Sequence, residues 1–152
     1  MDPRDDYLKL DNQLCFALVT AARNVVAIYR PILEPLGLTH PQYLVMLALW
    51  EQSPRSLRDL ADALALDPAT VSPLLKRLEA QGLITRARRE DDERILDVGL
   101  TPAGARLREQ ALEVPVQVMA ATGTDAASLA ALRDALKPFA GALKETALLK
   151  PL

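Results

Sequence analysis

The stretch Asp67–Arg94, DPATVSPLLKRLEAQGLITRARREDDER, decides how the rest of the chain is read. It opens as a helix. Asp67 can cap it, since a carboxylate accepts the free N–H groups of a first turn, and Pro68 suits the first helical position, where no N–H is needed. Val71, Leu74, Leu75 and Leu78 recur at helical spacing and make one buried stripe. The opposite stripe is Ala69, Ser72, Pro73 and Lys76, with Thr70 and Arg77 at its edges. Short polar and basic groups without bulk suit a helix that enters a major groove. Gly82 then ends the helix as a left-handed residue does.

A second short helix precedes this one. Ser56 and Asp59 have capping-box spacing, with Asp in place of the usual Glu or Gln. Leu57, Leu60, Ala61 and Leu64 form its apolar face, and Ala65-Leu66 leave room only for a tight turn before Asp67. Two helices joined in this way make a helix-turn-helix with the second as reader. Leu83, Ile84 and Thr85 follow as a strand, then Arg86, Arg88 and Arg89, the acidic tip Glu90–Glu93, and Arg94. Ile95, Leu96 and Val98 return as a second strand, which makes a β-hairpin wing. Patterning alone leaves two readings open at this point. Helix-turn-helix geometry also occurs in proteins that never touch DNA, and a charge run is usually a solvated face.

Composition narrows the choice. The chain has 152 residues, half of them hydrophobic, enough for one domain with extensions. Its formal net charge is −2, so any nucleic-acid footprint must be local: Lys76, Arg77 and the arginines of the wing. No apolar run is read as approaching the roughly 20 residues of a membrane span, and the acidic start MDPRDD lacks the apolar core of a signal peptide. The expected location is the cytoplasm. One cysteine forbids an intrachain disulfide, and one cysteine with one histidine is too few for a zinc site. No phosphate-cradling Gly-rich loop and no catalytic cluster is visible, so neither cofactor nor metal is expected, and the chain is read as a binding protein.

The flanks are helical. A first helix is expected from about Tyr7 to Arg30, with a stripe of Leu14, Leu18, Ala21, Ala22, Val25, Ile28 and Tyr29 that Pro31 and Pro35 bend or end. Thr39 and Gln42 form a capping box for the next helix, which carries Tyr43, Leu44, Leu47, Ala48 and Trp50. Thr101-Pro102 starts another helix, to about Ala120 and kinked by Pro115. A last one runs from about Asp125 to Leu148, with Leu129, Leu132, Leu136, Phe139 and Leu143 on its apolar face and a kink at Pro138. The first and last helices lie outside the winged module and carry wide apolar faces. A second copy would cover them, and a two-fold dimer would present two reading helices about one turn of DNA apart. The expectation is a mainly α chain with a small β-wing: a winged helix-turn-helix core at 39–101, with dimerisation helices at 5–37 and 102–150 of one domain, 1–152.

Asp92-x-Arg94, followed by Leu100-Thr101-x-x-Gly104, resembles the wing signature of MarR-type regulators, and LLKRLEAQGLITR from Leu74 to Arg86 is similar to their reading helix and first wing strand. That resemblance spans nearly the whole chain. It implies a homodimer that represses transcription at a palindromic site in double-stranded DNA, with Thr70, Ser72, Pro73, Lys76 and Arg77 toward the major groove and Arg86 and Arg88 in the wing. Arg94 would enter the minor groove, oriented by Asp92. An arginine there senses the enhanced negative potential of a narrow groove.

Three further segments, LDNQLCFAL (Leu10–Leu18), YRPILEPLGLT (Tyr29–Thr39) and PQYLVMLALWE (Pro41–Glu51), resemble the organic-hydroperoxide-sensing OhrR branch of that family. The resemblance makes Cys15 a peroxide sensor. Its thiolate becomes a sulfenic acid, and because the chain holds no second cysteine the cap is a small cellular thiol or a cysteine of another protein. Tyr29 matches one of the branch's tyrosines that hydrogen-bond this sulfur, partly across the dimer. Val19 and His40 stand where the branch has two more. His40 can donate an N–H to sulfur, or favour the thiolate if protonated; Val19 can do neither. Two alternatives stay open: a regulator that answers to a small aromatic or phenolic ligand, with Cys15 an inert apolar residue, and a thiol peroxidase.

Overall fold

The computed structural model describes residues 2–146, with side chains to residue 140. The chain begins with two 3-10 turns, Pro3–Leu8 and Leu10–Asn12. The α-helix α1 starts only at Leu14 and runs to Leu33, so the expected start near Tyr7 is corrected. Asn12 Nδ2 donates to the Asp6 carbonyl at 2.7 Å, and Gln13 Nε2 to those of Tyr7 and Lys9 at 2.7 and 2.8 Å. Such side-chain bonds compete with the helical ladder and hold the segment in tighter turns.

Pro31 lies inside α1 and does not end it; near a helix end a proline removes one hydrogen bond without stopping the chain. With its 3-10 extension the segment Leu14–Leu36 is long and apolar enough, by length and composition, to cross a membrane. The expectation that no stretch reaches this level is corrected, because residues on both sides of Pro31 form one continuous helix. Among the described residues the stripe is only partly covered. Leu14 and Val25 are exposed, Ile28 and Tyr29 half-buried, and Leu33 is the one fully buried residue of the helix.

Gly37, at φ 70°, closes the turn after α1. Helix α2 (His40–Glu51) carries the complete capping box expected of Thr39 and Gln42. A two-residue strand, β1 (Arg55–Ser56), follows and was not foreseen. Helix α3 (Leu57–Leu64) is capped by Ser56, which accepts from the Asp59 N–H at 3.0 Å. The Asp59 carboxylate turns away from the box to Arg55 Nε at 2.7 Å. Ala65 takes the left-handed conformation, φ 54°, and delivers the chain to the reader α4 (Pro68–Ala80).

Strands β2 (Ile84–Arg88) and β3 (Leu96–Leu100) form the wing, pairing Ile84 with Leu100 through to Arg88 with Leu96. Strand β1 adds to the free edge of β3, giving the order β1-β3-β2. The core of this unit is Leu33, Val45, Met46, Leu49, Leu60, Val71, Leu75, Leu78, Ile84 and Val98, all at most 2% exposed. It welds α2, α3, α4 and the sheet into one support for the reader.

Beyond the wing, Thr101 caps α5 (Pro102–Ala111) through the Gly104 N–H. The single kinked helix expected as far as Ala120 is two helices. The break falls at Leu112, before α6 (Glu113–Thr122), rather than at Pro115. The physical reason is that Pro115 offers no N–H to the carbonyl four residues back, at Ala111, and its ring crowds that carbonyl. The chain divides after Pro115 into two compact units. The second contains most of α6, Gly123 at φ 65°, and α7 (Ala126–Thr146), whose first turn Asp125 caps by accepting the Ser128 N–H at 2.7 Å. Pro138 is accommodated within α7. Leu132, Leu136 and Phe139 are exposed. The Leu143 side chain and the expected end at Leu148 lie outside the described residues.

Candidate nucleic-acid interface and thiol site

Helix α4 divides as its periodicity requires. Val71, Leu75 and Leu78 are buried and Leu74 half-buried, while Thr70, Pro73, Lys76 and Arg77 face outward with Ser72 at the margin. Asp67 occupies the N-cap position but its side chain accepts no cap hydrogen bond, so the expected carboxylate cap is corrected. Pro68 supplies the fixed φ that starts the helix without it.

The wing orders its charges in three ways. At the tip Arg94 is 91% exposed, and its Nε and Nη2 donate to Asp92 at 3.1 and 3.3 Å. This bond and the Arg94 N–H hold the Asp92 carboxyl below its ordinary value. Further back, Arg89 grips Asp97 with two parallel bonds of 2.9 and 2.7 Å, and the pairing lowers the Asp97 carboxyl in the same way. Such a fork fixes a guanidinium in direction as well as in place. Arg86 behaves differently from its neighbours. It is half-buried and donates through Nη2 to Glu79 of α4 at 3.0 Å. It is therefore set apart from the exposed arginines of the expected footprint: its guanidinium ties β2 to the reader. Arg88 points out.

A cleft of about 620 Å³ opens between the wing, α3 and the start of α4; Ser56, Arg58, Pro68, Arg88, Arg89 and Arg94 are on its walls. Its acidic member, Asp92, is already paired with Arg94. With Arg89 engaged by Asp97, Arg58 and Arg88 are the wall cations outside an ion pair among the described residues, a local positive excess on a molecule whose net charge is −2. Sequence reasoning missed Arg58, an isolated cation on α3 that reaches this groove only because β1 pairs with β3 and sets α3 beside the wing.

Cys15 is the second residue of α1 and is exposed within the single chain. Tyr29 lies on the same helix, about four turns or 21 Å further along at 1.5 Å per residue. His40 meets Tyr29 edge to face, ring centroids 4.9 Å apart, and Tyr43 flanks Tyr29 at 5.9 Å. Burial pushes the His40 imidazole below its ordinary value and the Tyr29 phenol above its own. Both shifts favour the uncharged, hydrogen-bonding form of each group. Within one chain, therefore, Tyr29 and His40 are brought together and Cys15 is held apart from Tyr29.

The MarR family model matches residues 38–96, from the turn before α2 to the first residue of β3. A Bacillus subtilis protein described as an organic hydroperoxide resistance transcriptional regulator is 41% identical over 136 residues, 90% of this chain and 92% of that one. The chain belongs to the MarR family. As a MarR-family protein it is a transcriptional regulator and not an enzyme, which disposes of the thiol peroxidase alternative. Among solved structures of the family it is similar to reduced AbfR of Staphylococcus epidermidis bound to DNA, at 31% identity and a TM-score of 0.76, with 92% of this chain and 98% of that one covered. It is also similar to Bordetella bronchiseptica BpsR, whose DNA binding is regulated by 6-hydroxynicotinic acid, at 30% identity and a TM-score of 0.77 over 87% of this chain and 96% of that one.

Proposed function

We propose that two copies of the chain pair through residues 5–37 and the helices that follow residue 102, hold a palindromic operator in double-stranded DNA with the winged module at 39–101, and repress transcription until an organic hydroperoxide oxidises Cys15. The single observation behind the redox half is the separation on α1. The exposed sulfur is near the start of α1 and Tyr29, with His40 of α2 against it, is near the other end, on a helix whose apolar stripe is only partly covered. Two such helices side by side and antiparallel bury both stripes and bring each Cys15 toward Tyr29 and His40 of the partner subunit. The hydroperoxide-resistance relative and the DNA-bound reduced form of AbfR support the same reading.

On the operator, Thr70, Ser72, Pro73, Lys76 and Arg77 face the major groove. Arg88 and Arg58 meet phosphates, and Arg94 enters the minor groove with Asp92 holding its guanidinium. In the redox step the Cys15 thiolate attacks the outer peroxide oxygen. The O–O bond breaks, the alkoxide leaves and takes a proton to become an alcohol, and Cys15 becomes a sulfenic acid. A small cellular thiol then forms an S–S bond to it as water departs. The added bulk at the seam between subunits shifts α1 and loosens the grip on DNA. A chain working on DNA in this way acts in the cytoplasm.

A second reading rests on Val19, 41% exposed on α1 and without a hydroxyl, together with the similarity to BpsR: a small aromatic or phenolic ligand is the signal and Cys15 is inert. One experiment separates the two. The dimer on operator DNA is treated with stoichiometric cumene hydroperoxide and glutathione, and Cys15 is followed by mass spectrometry beside a gel shift. Glutathionylated Cys15 with release of DNA, and no release in Cys15→Ser, is the expected result. Intact binding with Cys15 oxidised, or Cys15 unreacted, rejects the redox mechanism and leaves the ligand reading.

A further inference from the structure

The reader and the sensor region are joined by one directional bond. Gln81 is the residue that ends α4, and its Nε2 donates to the Gly37 carbonyl at 2.8 Å. Gly37 is the left-handed residue closing the turn between α1, which carries Cys15 and Tyr29, and α2, which begins at His40. Val26, Arg30, Glu34, His40 and Gln81 line a common cleft of about 660 Å³, so the link and the imidazole open on the same space.

The far side of the same corner is anchored separately. Thr101 Oγ1 donates to the Gly82 carbonyl at 2.6 Å, and the Thr101 N–H to that of Leu83 at 3.1 Å. The C-terminal end of the reader is thus held toward α5 by bonds that do not involve the sensor, and toward the α1–α2 turn by Gln81. Buried packing between α2 and α4 resists separation of the helices. The Gln81 bond adds a directional tie between the end of α4 and the α1–α2 turn that this packing does not itself supply. Because the Gln81 side chain is exposed, with water able to replace its bond, this contact contributes little to folding and can be made or broken by a shift of the turn.

We propose that Gln81 is a positioning residue that carries the state of the α1–α2 turn to the reading helix, so that displacement of Gly37 on Cys15 oxidation is felt at α4. The inference rests on the redox reading above and adds the element that connects its two ends.

The test uses full-length dimer, operator DNA, cumene hydroperoxide and glutathione, with wild type, Gln81→Glu, Gln81→Ala and Gln81→Lys compared. Gln81→Glu keeps the shape but puts a carboxylate against the Gly37 carbonyl and near Glu34. Gln81→Lys keeps a donor. Three quantities are read: the rate of Cys15 modification by mass spectrometry, operator affinity of the reduced protein by fluorescence anisotropy, and affinity after complete modification. The expected result is an unchanged rate of Cys15 modification in all four. The ratio of reduced to oxidised affinity falls about tenfold in Gln81→Glu and Gln81→Ala, within the usual range of coupling between sites, and recovers in Gln81→Lys. An unchanged ratio in the first two variants overturns the proposal, and so does a loss of reduced-state affinity with the ratio preserved, which is what a merely structural helix end produces. Modified wild type that stays on DNA overturns the redox reading and this inference together, an outcome visible before any variant is made.

Discussion

Gly104→Ala is a severe test of how the reader is buttressed. Gly104 is the third residue of α5. A Cβ built on it lies 2.0 Å from the Leu83 carbonyl oxygen and 3.0 Å from the Leu83 carbon. Ordinary contact begins near 3.4 Å, so the two segments must part by about 1.4 Å. They are not free to part. The Gly104 carbonyl accepts Trp50 Nε1 at 2.9 Å, and the Leu83 carbonyl accepts the Thr101 N–H at 3.1 Å. Losing one or both of these costs about 1 kcal/mol each, and the overpacking itself about 1–3 kcal/mol. The better helix propensity of alanine returns about 1 kcal/mol. The expected net destabilisation is about 1–4 kcal/mol, a sizeable part of the ordinary 5–15 kcal/mol of a folded domain. Urea unfolding followed by tryptophan fluorescence is the assay, at fixed protein concentration because association contributes to stability. Trp50 is the sole tryptophan, so its emission should also shift in the folded variant. A loss under about 0.5 kcal/mol, within the ordinary range of surface substitutions, would show that α5 yields freely and that the reasoning about Leu83 is wrong.

Other outcomes follow from the charges. Arg94→Ala should weaken operator binding across sequences and reduce the salt slope by about 1, whereas Ser72→Ala should change base preference in a binding-site selection; equal losses on all sequences for both would mean the reader is misplaced. Arg86→Ala should lower the unfolding midpoint through loss of the Glu79 pair and leave the salt slope of DNA binding unchanged, and a reduced slope would return Arg86 to the DNA contacts. For pH, the His40 imidazole is held below its ordinary value by burial, so the unfolded chain binds the extra proton as pH falls below about 6.5. Stability should therefore be full above that pH and decline as pH drops toward the lowered folded value. Urea midpoints at pH 5.5 and 7.5 should differ more for the wild type than for His40→Gln. The Asp92 and Asp97 carboxyls are lowered by Arg94 and Arg89, so their pairing persists above the ordinary carboxylate value and is lost only as pH falls through the lowered one. The wing should keep its geometry throughout that window.

What could be read directly were the features in which a side chain answers to its own neighbourhood. The stripe of Val71, Leu75 and Leu78, the Thr39–Gln42 box, the Thr101-Pro102 start and the left-handed Gly82 are settled within one or two helical turns, and the residues at those spacings suffice. Asp92 and Arg94, two residues apart, belong to the same class. Elements fixed by a distant partner were not legible. Strand β1 is two residues long and exists because Val98 and Asp97 face it. The Glu79 carboxylate that engages Arg86, the α3 position that sets Arg58 in the positive cleft, the oxygen that leaves no room for a Cβ at Gly104, and the carbonyl that receives Gln81 all come from other elements. Local chemistry chose the helices and their ends, because capping and periodicity act over a few residues. Packing chose which charged side chains remain free for DNA and which bind the protein to itself, because that depends on what the folded chain brings alongside them.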